Sequence, residues 1–560
     1  MALRALAAAL SLSYLAATDF AVIPLGSMRN GETPSLAKRD VLQRRDDVDP
    51  ATLYPAYNIS VPVDHFHNES MYEPHSSDTF DLRYFFDGSH YKAGGPVIVL
   101  EGGETDASGR LPYLQKGLLA QLSQATNGIG VVLEHRYYGT SFPTPDLSTE
   151  NLRFLTTDQA LADTVYFAQN VKFEGLEDAN VNAPDAPYIA YGGSYAGAFV
   201  AFLRVLYPDV YFGAISSSGV TEAIWDYWDY YEPVREYGPQ PCISRTQLLT
   251  NVVDNILLHK NGTNLTSTLK TAFGLQSLTH DDDFANALSL GVGGWQGRNW
   301  DPAVNDPSFS QYCGNMSANS TLYPSTTPLT PTVQKLLTAA GYSSQLTALT
   351  IPMLNYIGYI NATAIPAAAA AGQSLEQYYT NHNSTFYALD SIAEGSWRSW
   401  PYQYCSQWGF LQTGSGVPSD QLPLISRLLT LDYESIICRD AFNLTTPADT
   451  DAINKYGGYD ISYDRLAIID GEQDPWRGVT PHSPQAPNPN RVSTTQEPFA
   501  LIAGAVHHWD ENGLFANETS ADLPPGPVRE VQAEEVAFVK AWLGEFEPPG
   551  GKEKGRRRGL

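Results

Sequence analysis

The segment Ala190-Tyr191-Gly192-Gly193-Ser194-Tyr195-Ala196-Gly197-Ala198-Phe199 sets a serine directly after an apolar run and directly before a helical pattern, with small residues on both sides. A serine held at a sharp strand-to-helix turn needs that arrangement. Its backbone is strained, and a Cβ on a flanking residue would collide with the adjoining strand and helix. The pattern G-x-S-x-G is met at Gly192 and carries Ala196 in place of the second glycine, which alanine is small enough to replace. A Gly-rich turn selected for close packing alone would look similar, so the reading depends on its surroundings.

Outward from this turn, Pro96 to Glu101, Gly130 to His135 and Tyr188 to Gly192 are short apolar runs bounded by Gly or Pro, and they read as buried parallel strands. Between the second and third, Thr156-Thr157-Asp158-Gln159 offers a capping box, followed by Leu161, Val165 and Ala168 at helical spacing. That alternation predicts a parallel sheet with helices on its faces. From about Val220 to Glu434 the chain becomes aromatic and Asn/Ser/Thr-rich, with an Ala-rich stretch from Ala362 to Ala371. Strand-like runs return at Leu466 to Asp470 and Phe499 to Ala503, and a helical pattern runs from Ala533 to Phe546. The simplest architecture is an α/β domain split by a largely helical insertion.

A serine at such a turn calls for a base and an acid later in the chain, in the order Ser, Asp, His. The histidines after the insertion are His482, His507 and His508. His482 sits in Thr480-Pro481-His482-Ser483-Pro484, a loop by composition, whereas His507 and His508 follow the Phe499 run through Gly504-Ala505-Val506. The acid is expected in Gly471-Glu472-Gln473-Asp474-Pro475-Trp476; Asp474 fits best because Pro475 fixes the turn beyond it, with Asp470 and Glu472 as the fallback. The residues alone do not choose between His507 and His508. In the chemistry expected of such a set, the imidazole takes the proton of Ser194, the serine attacks a carbonyl, and the acid orients the ring. The backbone N–H of Tyr195 and that of Gly103, in the loop Gly102-Gly103-Glu104-Thr105, are the expected oxyanion donors. No metal or cofactor is called for.

The formal net charge of -27 and a sequence pI of about 4.7 argue against nucleic acid as a partner, because such a surface repels phosphate. Neutralisation of many carboxyls near pH 4 would relieve self-repulsion and suits work in acid. Residues 1–18 place Arg4 before an Ala/Leu-rich run ending in Ala16-Ala17-Thr18, which reads as a secretory signal. Residues 19–45 carry Lys38-Arg39 and Arg44-Arg45, dibasic pairs at which a propeptide could be released. No other run approaches the ~20 apolar residues of a membrane span. Ten N-x-S/T sequons also point to the secretory route, to an extracellular or a vacuolar, lysosome-like destination. The four cysteines, Cys242, Cys313, Cys405 and Cys438, lack C-x-x-C spacing, which argues against zinc or thioredoxin-like chemistry and favours two disulfides, with three connectivities open from spacing alone. Residues 547–560 form a Gly-flanked basic tail expected to be disordered.

Glu134 to Ser141 (EHRYYGTS), Leu155 to Asp163 (LTTDQALAD), the Gly192 to Gly197 turn, Asp474-Pro475-Trp476 and Ala505 to Asp510 (AVHHWD), in this order, resemble the family of prolyl carboxypeptidase, dipeptidyl peptidase II and the fungal acid prolyl endopeptidases. The likeness runs from about residue 50 to 545 and is weakest across the insertion, apart from the surroundings of Cys405. It implies an α/β-hydrolase fold with a large, mainly helical cap insertion: core at 46–220, cap at 221–434, core again at 435–546. It implies a serine peptidase acting on peptides and proteins at the carboxyl side of proline, with Ser194, Asp474 and His507 as the triad. It further implies that Glu104 binds a substrate amino terminus and that Trp476 walls a flat pocket for proline, unless these are a solvated carboxylate and a core ring. Exopeptidase relatives read His-His-Leu-Asp-Leu-Arg where this chain reads His507-His508-Trp509-Asp510-Glu511-Asn512. The missing arginine turns the expectation towards cleavage inside chains, with exopeptidase action as the alternative and a carboxylesterase on the same fold as the remoter one. Sequence proximity pairs Cys242 with Cys313 and Cys405 with Cys438; the resemblance supports the second pair.

Overall fold

Among the described residues there are ten strands: β1 (Tyr57–Pro62), β2 (Thr79–Asp87), β3 (Val97–Glu101), β4 (Ile129–Leu133), β5 (Tyr188–Gly193), β6 (Tyr211–Ser217), β7 (Ile224–Asp226), β8 (Gly409–Leu411), β9 (Leu466–Gly471) and β10 (Phe499–Ile502). The computed structural model describes residues 49–548. The expected signal segment 1–18, the propeptide 19–45 and the basic tail beyond Pro548 lie outside the described residues. Eight strands form one sheet in the order β1-β2-β4-β3-β5-β6-β9-β10. β4, β3, β5, β6, β9 and β10 run parallel, and β1 and β2 complete one edge in antiparallel fashion.

The central strands read as unbroken apolar runs because both of their faces are covered. Val97 and Val99 of β3 and Tyr188 and Ala190 of β5 pack with the helices Thr157–Asn170 and Tyr195–Leu206. Ile98, Leu100, Ile189 and Tyr191 point the other way, into a second core with the helices Leu118–Thr126 and Gly526–Leu543. The five strands expected from sequence are found within one or two residues of the expected bounds. At the expected capping box, Thr156 Oγ1 accepts from the Gln159 amide at 3.3 Å, but the Gln159 side chain turns away, accepting from the His65 amide and donating to Asp64.

Everything between β6 and β9 is helix and loop, except for the small parallel pair β7 and β8. Helices continue through Ile436–Phe442 and Asp451–Asn454, and the sheet resumes at Leu466, where the sequence shows its next strand-like run. One disulfide, Cys242–Cys313, joins the helix Gln240–His259 to the helix Ser308–Ser317; the other is Cys405–Cys438. Both match the expected pairing. No helix among the described residues is long and apolar enough to cross a membrane. The mixed eight-stranded sheet, its two helical layers and the large helical insertion after β6 make this an α/β-hydrolase fold.

Candidate active site

β5, β9 and β10 are parallel, so the turns that follow them open on the same edge of the sheet, the edge where ligands bind in such folds. Ser194 follows β5, Asp474 follows β9 and His507 follows β10. Ser194 has φ 62° and ψ -126°, a strained conformation for a residue with a side chain, and it begins the helix Tyr195–Leu206. The flanking small residues are required by space. A Cβ on Gly192 would lie 2.3 Å from the Ala196 carbonyl oxygen, and one on Gly197 would lie 2.7 Å from that of Ser217. A Cβ on Gly103, which has φ +71°, would lie 3.5 Å from the Ala196 methyl, so the loop after β3 approaches this turn closely.

The two histidines separate by partner. His507 Nδ1 lies 2.8 Å from Asp474 Oδ2, and the other oxygen of Asp474 accepts the Trp476 amide at 2.9 Å. His507 Nε2 is buried with no partner among the described residues. His508 Nδ1 instead lies 2.9 Å from Glu511 Oε2, and its amide donates to Ser218 Oγ. Burial holds the His507 imidazole below its ordinary pKa, outweighing the Asp474 carboxylate that raises it. Burial also works against charge on His508, but there Glu511 prevails and the pKa is raised. The fallback acids are engaged elsewhere: Asp470 with His482 Nδ1 at 2.7 Å, and Glu472 with the Gly504 amide.

The Tyr195 side chain reaches away from the turn, its hydroxyl within 2.9 Å of both His135 Nε2 and Gln403 Nε2. Glu134 organises the loop after β3, accepting from the amides of Ala107 and Thr140 and from Arg83 and Ser141. The Glu134–Ser141 motif is thus a scaffold beneath the Gly103 loop. Glu104 is half-buried there; burial raises its pKa, and Arg110 and His508 are the nearby charges opposing that rise. Trp476 is 1% exposed, with its indole N–H donated to Gln296 and its ring packed on Tyr227, Tyr230 and Phe410.

Sequence reasoning missed Asp510. It is fully buried, accepts from Ser217 Oγ at 2.5 Å and Tyr191 hydroxyl at 3.0 Å, and its carbonyl accepts from Gln532. It ties the histidine loop to β5, β6 and the last helix, and its place three residues after His507 was the available signal. Asn512, where relatives carry arginine, is 4% exposed and accepts from Tyr113, so here it is a packing residue. Among the described residues, two groups bring metal-ligating atoms within 4.8 Å of one another: Asp64 with His67 and His75, and His280 with Asp282 and His382. Neither includes Ser194, Asp474 or His507.

The sequence pattern of the family described as Serine carboxypeptidase S28 matches residues 62–521. The chain belongs to this family. Among S28 relatives, it is similar to a probable extracellular serine carboxypeptidase of Arthroderma benhamiae, 51% identical over 532 residues that cover 95% of this chain and 74% of that one. The serine protease vicPb of Bipolaris victoriae is 28% identical over 86% of this chain and 88% of its own. The thymus-specific serine protease of Mus musculus is 26% identical over 82% of this chain and 86% of its own. The S28 chain described here is a serine-type peptidase.

Proposed function

We propose that the protein is a secreted peptidase that hydrolyses the bond after proline near the C-terminal end of peptides, in acid, with Ser194 as nucleophile, His507 as general base and Asp474 as the orienting acid. The observation that carries this reading is the Asp474–His507 hydrogen bond, which leaves a buried, unbonded Nε2 on the sheet edge that also bears Ser194 at positive φ. Asp474 accepts the Nδ1 proton and so fixes the tautomer whose Nε2 accepts. Nε2 takes the Ser194 proton as Oγ attacks the prolyl carbonyl, then returns it to the leaving amine; water later releases the acyl group. The Tyr195 amide, at the free N-terminal turn of its helix, and the Gly103 amide are the oxyanion donors, and neither has an acceptor elsewhere among the described residues.

Preference for proline rests on the resemblance of the motifs, with Trp476 shaping the pocket from beneath through Tyr227 and Phe410. Action at the C-terminal end is supported by the carboxypeptidase name of the relative with 51% identity and by the packing role of Asn512, which removes the argument for internal cleavage. Glu104 is a poor ammonium ligand in acid because burial favours its neutral form. Export is supported by the extracellular relative and by the sequons, none of whose ten asparagines is buried. Mass spectrometry of products from a defined peptide ending in Pro-Phe, run beside a version blocked at both ends, tests the reading. Release of the terminal Phe from the free peptide is expected, abolished once a fluorophosphonate has labelled Ser194. Cleavage at other bonds, faster turnover of the blocked peptide, or activity surviving the label would each overturn it.

A further inference from the structure

The cap touches both catalytic loops through one short segment. Trp295 donates its indole N–H to the carbonyl of Gln473, the residue before Asp474, at 2.8 Å. Trp509, two residues after His507, donates its own to the carbonyl of Arg298 at 2.9 Å, and Trp300 donates to the carbonyl of Trp509. Arg298 is therefore pinned between the turn that carries the acid and the turn that carries the base.

The Arg298 guanidinium lies 4.1 Å over the Trp295 ring, Nη1 is buried without a hydrogen-bond partner, and no carboxylate pairs with it among the described residues. Burial alone holds its pKa below the usual arginine range. Arg204, Arg398 and Arg491 also form no ion pair with a carboxylate among the described residues, but their guanidiniums donate to backbone carbonyls, whereas Arg298 Nη1 is buried with no such acceptor. Arg110, by contrast, faces Glu511 at 3.9 Å, and Arg477, in the turn after Asp474, donates to the carbonyls of Glu472 and His482. A guanidinium placed over an indole, with donors not engaged elsewhere, can take a carboxylate in bidentate fashion.

We propose that Arg298 is the anchor for the α-carboxylate of the substrate's C-terminal residue. The inference rests on the function proposed above. His507 must protonate the leaving amine, so the departing residue lies against the histidine loop, on the side where Trp509 holds Arg298. A free carboxylate one residue beyond the cut bond would complete the pairing that the protein leaves open, whereas an amide or a continuing chain would not.

The test compares an N-blocked peptide ending in Pro-Phe as the free acid and as the amide, in the wild type and in Arg298→Met and Arg298→Lys. The wild type is expected to favour the acid by about 10²-fold in kcat/KM, the range for losing one partner of a desolvated charge pair. Arg298→Met should bring the acid-to-amide ratio close to 1, and Arg298→Lys should restore part of it, which a merely structural role would not do. Protection of Ser194 from a fluorophosphonate by the same two peptides reads binding without turnover. An unchanged ratio in Arg298→Met, or equal protection by acid and amide in the wild type, overturns the anchor. Carboxylate-dependent protection without cleavage after proline would sink the prolyl reading and leave the anchor standing.

Discussion

His507 and His508 are neighbours whose rings lie 4.4 Å apart, yet one faces Asp474 and the other Glu511. The difference gives them opposite behaviour in acid. A general base works only while neutral, so kcat/KM falls as pH drops through the pKa of His507. Because burial lowers that pKa, the acid limb should lie below about 6.5, the ordinary histidine value, and activity should persist into acid. His507→Ala should cost on the order of 10⁶ in kcat, as members of such a set act together. Asp474→Asn should cost about 10⁴ and move the limb of the residual activity further down, since the carboxylate was raising the pKa. His508→Ala should leave far more activity than His507→Ala. Kinetics across pH 3 to 8, with circular dichroism as a check on folding, decide this; an acid limb at or above about 6.5, or equal losses at the two histidines, would show the assignment to be wrong.

Among the elements, β3, β4, β5, β9 and β10 were legible in the sequence, whereas β1 and β2 at one edge of the sheet and β6 within it were not. β3, β4, β5 and β9 are apolar on both faces, and a five- or six-residue run bounded by Gly or Pro has few other uses. β2 alternates Phe80, Leu82 and Tyr84 with Thr79, Asp81 and Arg83, a half-buried pattern easily taken for loop among polar neighbours, and β6 ends in Ser216 and Ser217. Ser194 and Asp474 could be picked out because strand, turn chemistry and order converge on them, but the same signals left His507 and His508 open, and only the resemblance chose His507. Arg298 was not, because a missing partner is a property of the packed molecule and leaves no mark on the chain. The cysteine pairing was legible by proximity, and it makes a prediction for the cap. The Cys405–Cys438 bridge closes a loop across 33 positions, and loop-closure entropy gives about 4 kcal/mol of stabilisation for a loop of that size. Cys405→Ser with Cys438→Ser should lower the denaturant midpoint accordingly; an unchanged midpoint would mean that the bridge does not constrain the unfolded chain.

Across the whole molecule, carboxyls lie in the core as well as on the surface, and burial changes how the core ones titrate. Burial raises the carboxyl pKa of Asp229 and Asp510 to about 6 and that of Glu101 to about 8, and it lifts Glu434 and Glu535 well above the usual range. Glu535 and Asp510 face each other in the fully buried layer behind the histidine loop, with Ser217, Tyr191, His508 and Glu534 around them. A group whose pKa is raised on folding contributes stability that is complete below the unfolded value, about 4, and is lost as pH rises through the folded value. Asp64, Asp106, Asp163 and Glu511 are shifted the other way, so their contribution is lost as pH falls below that range. The two sets together place maximal stability between about pH 4 and 6, with a decline through pH 6 to 8. Self-repulsion from the -27 charge adds to that decline, but it is screened by salt, whereas the buried carboxyls are not. The melting temperature should therefore be higher at about pH 5 than at about pH 8, and most of the difference should survive about 0.5 M salt. Glu535→Gln, which supplies a neutral amide where the fold holds a neutral acid, should flatten the dependence. A melting temperature that is level or rising from pH 5 to 8 would show that neither set of charges governs stability there, and a difference that salt abolishes would assign it to surface repulsion and not to the buried carboxyls.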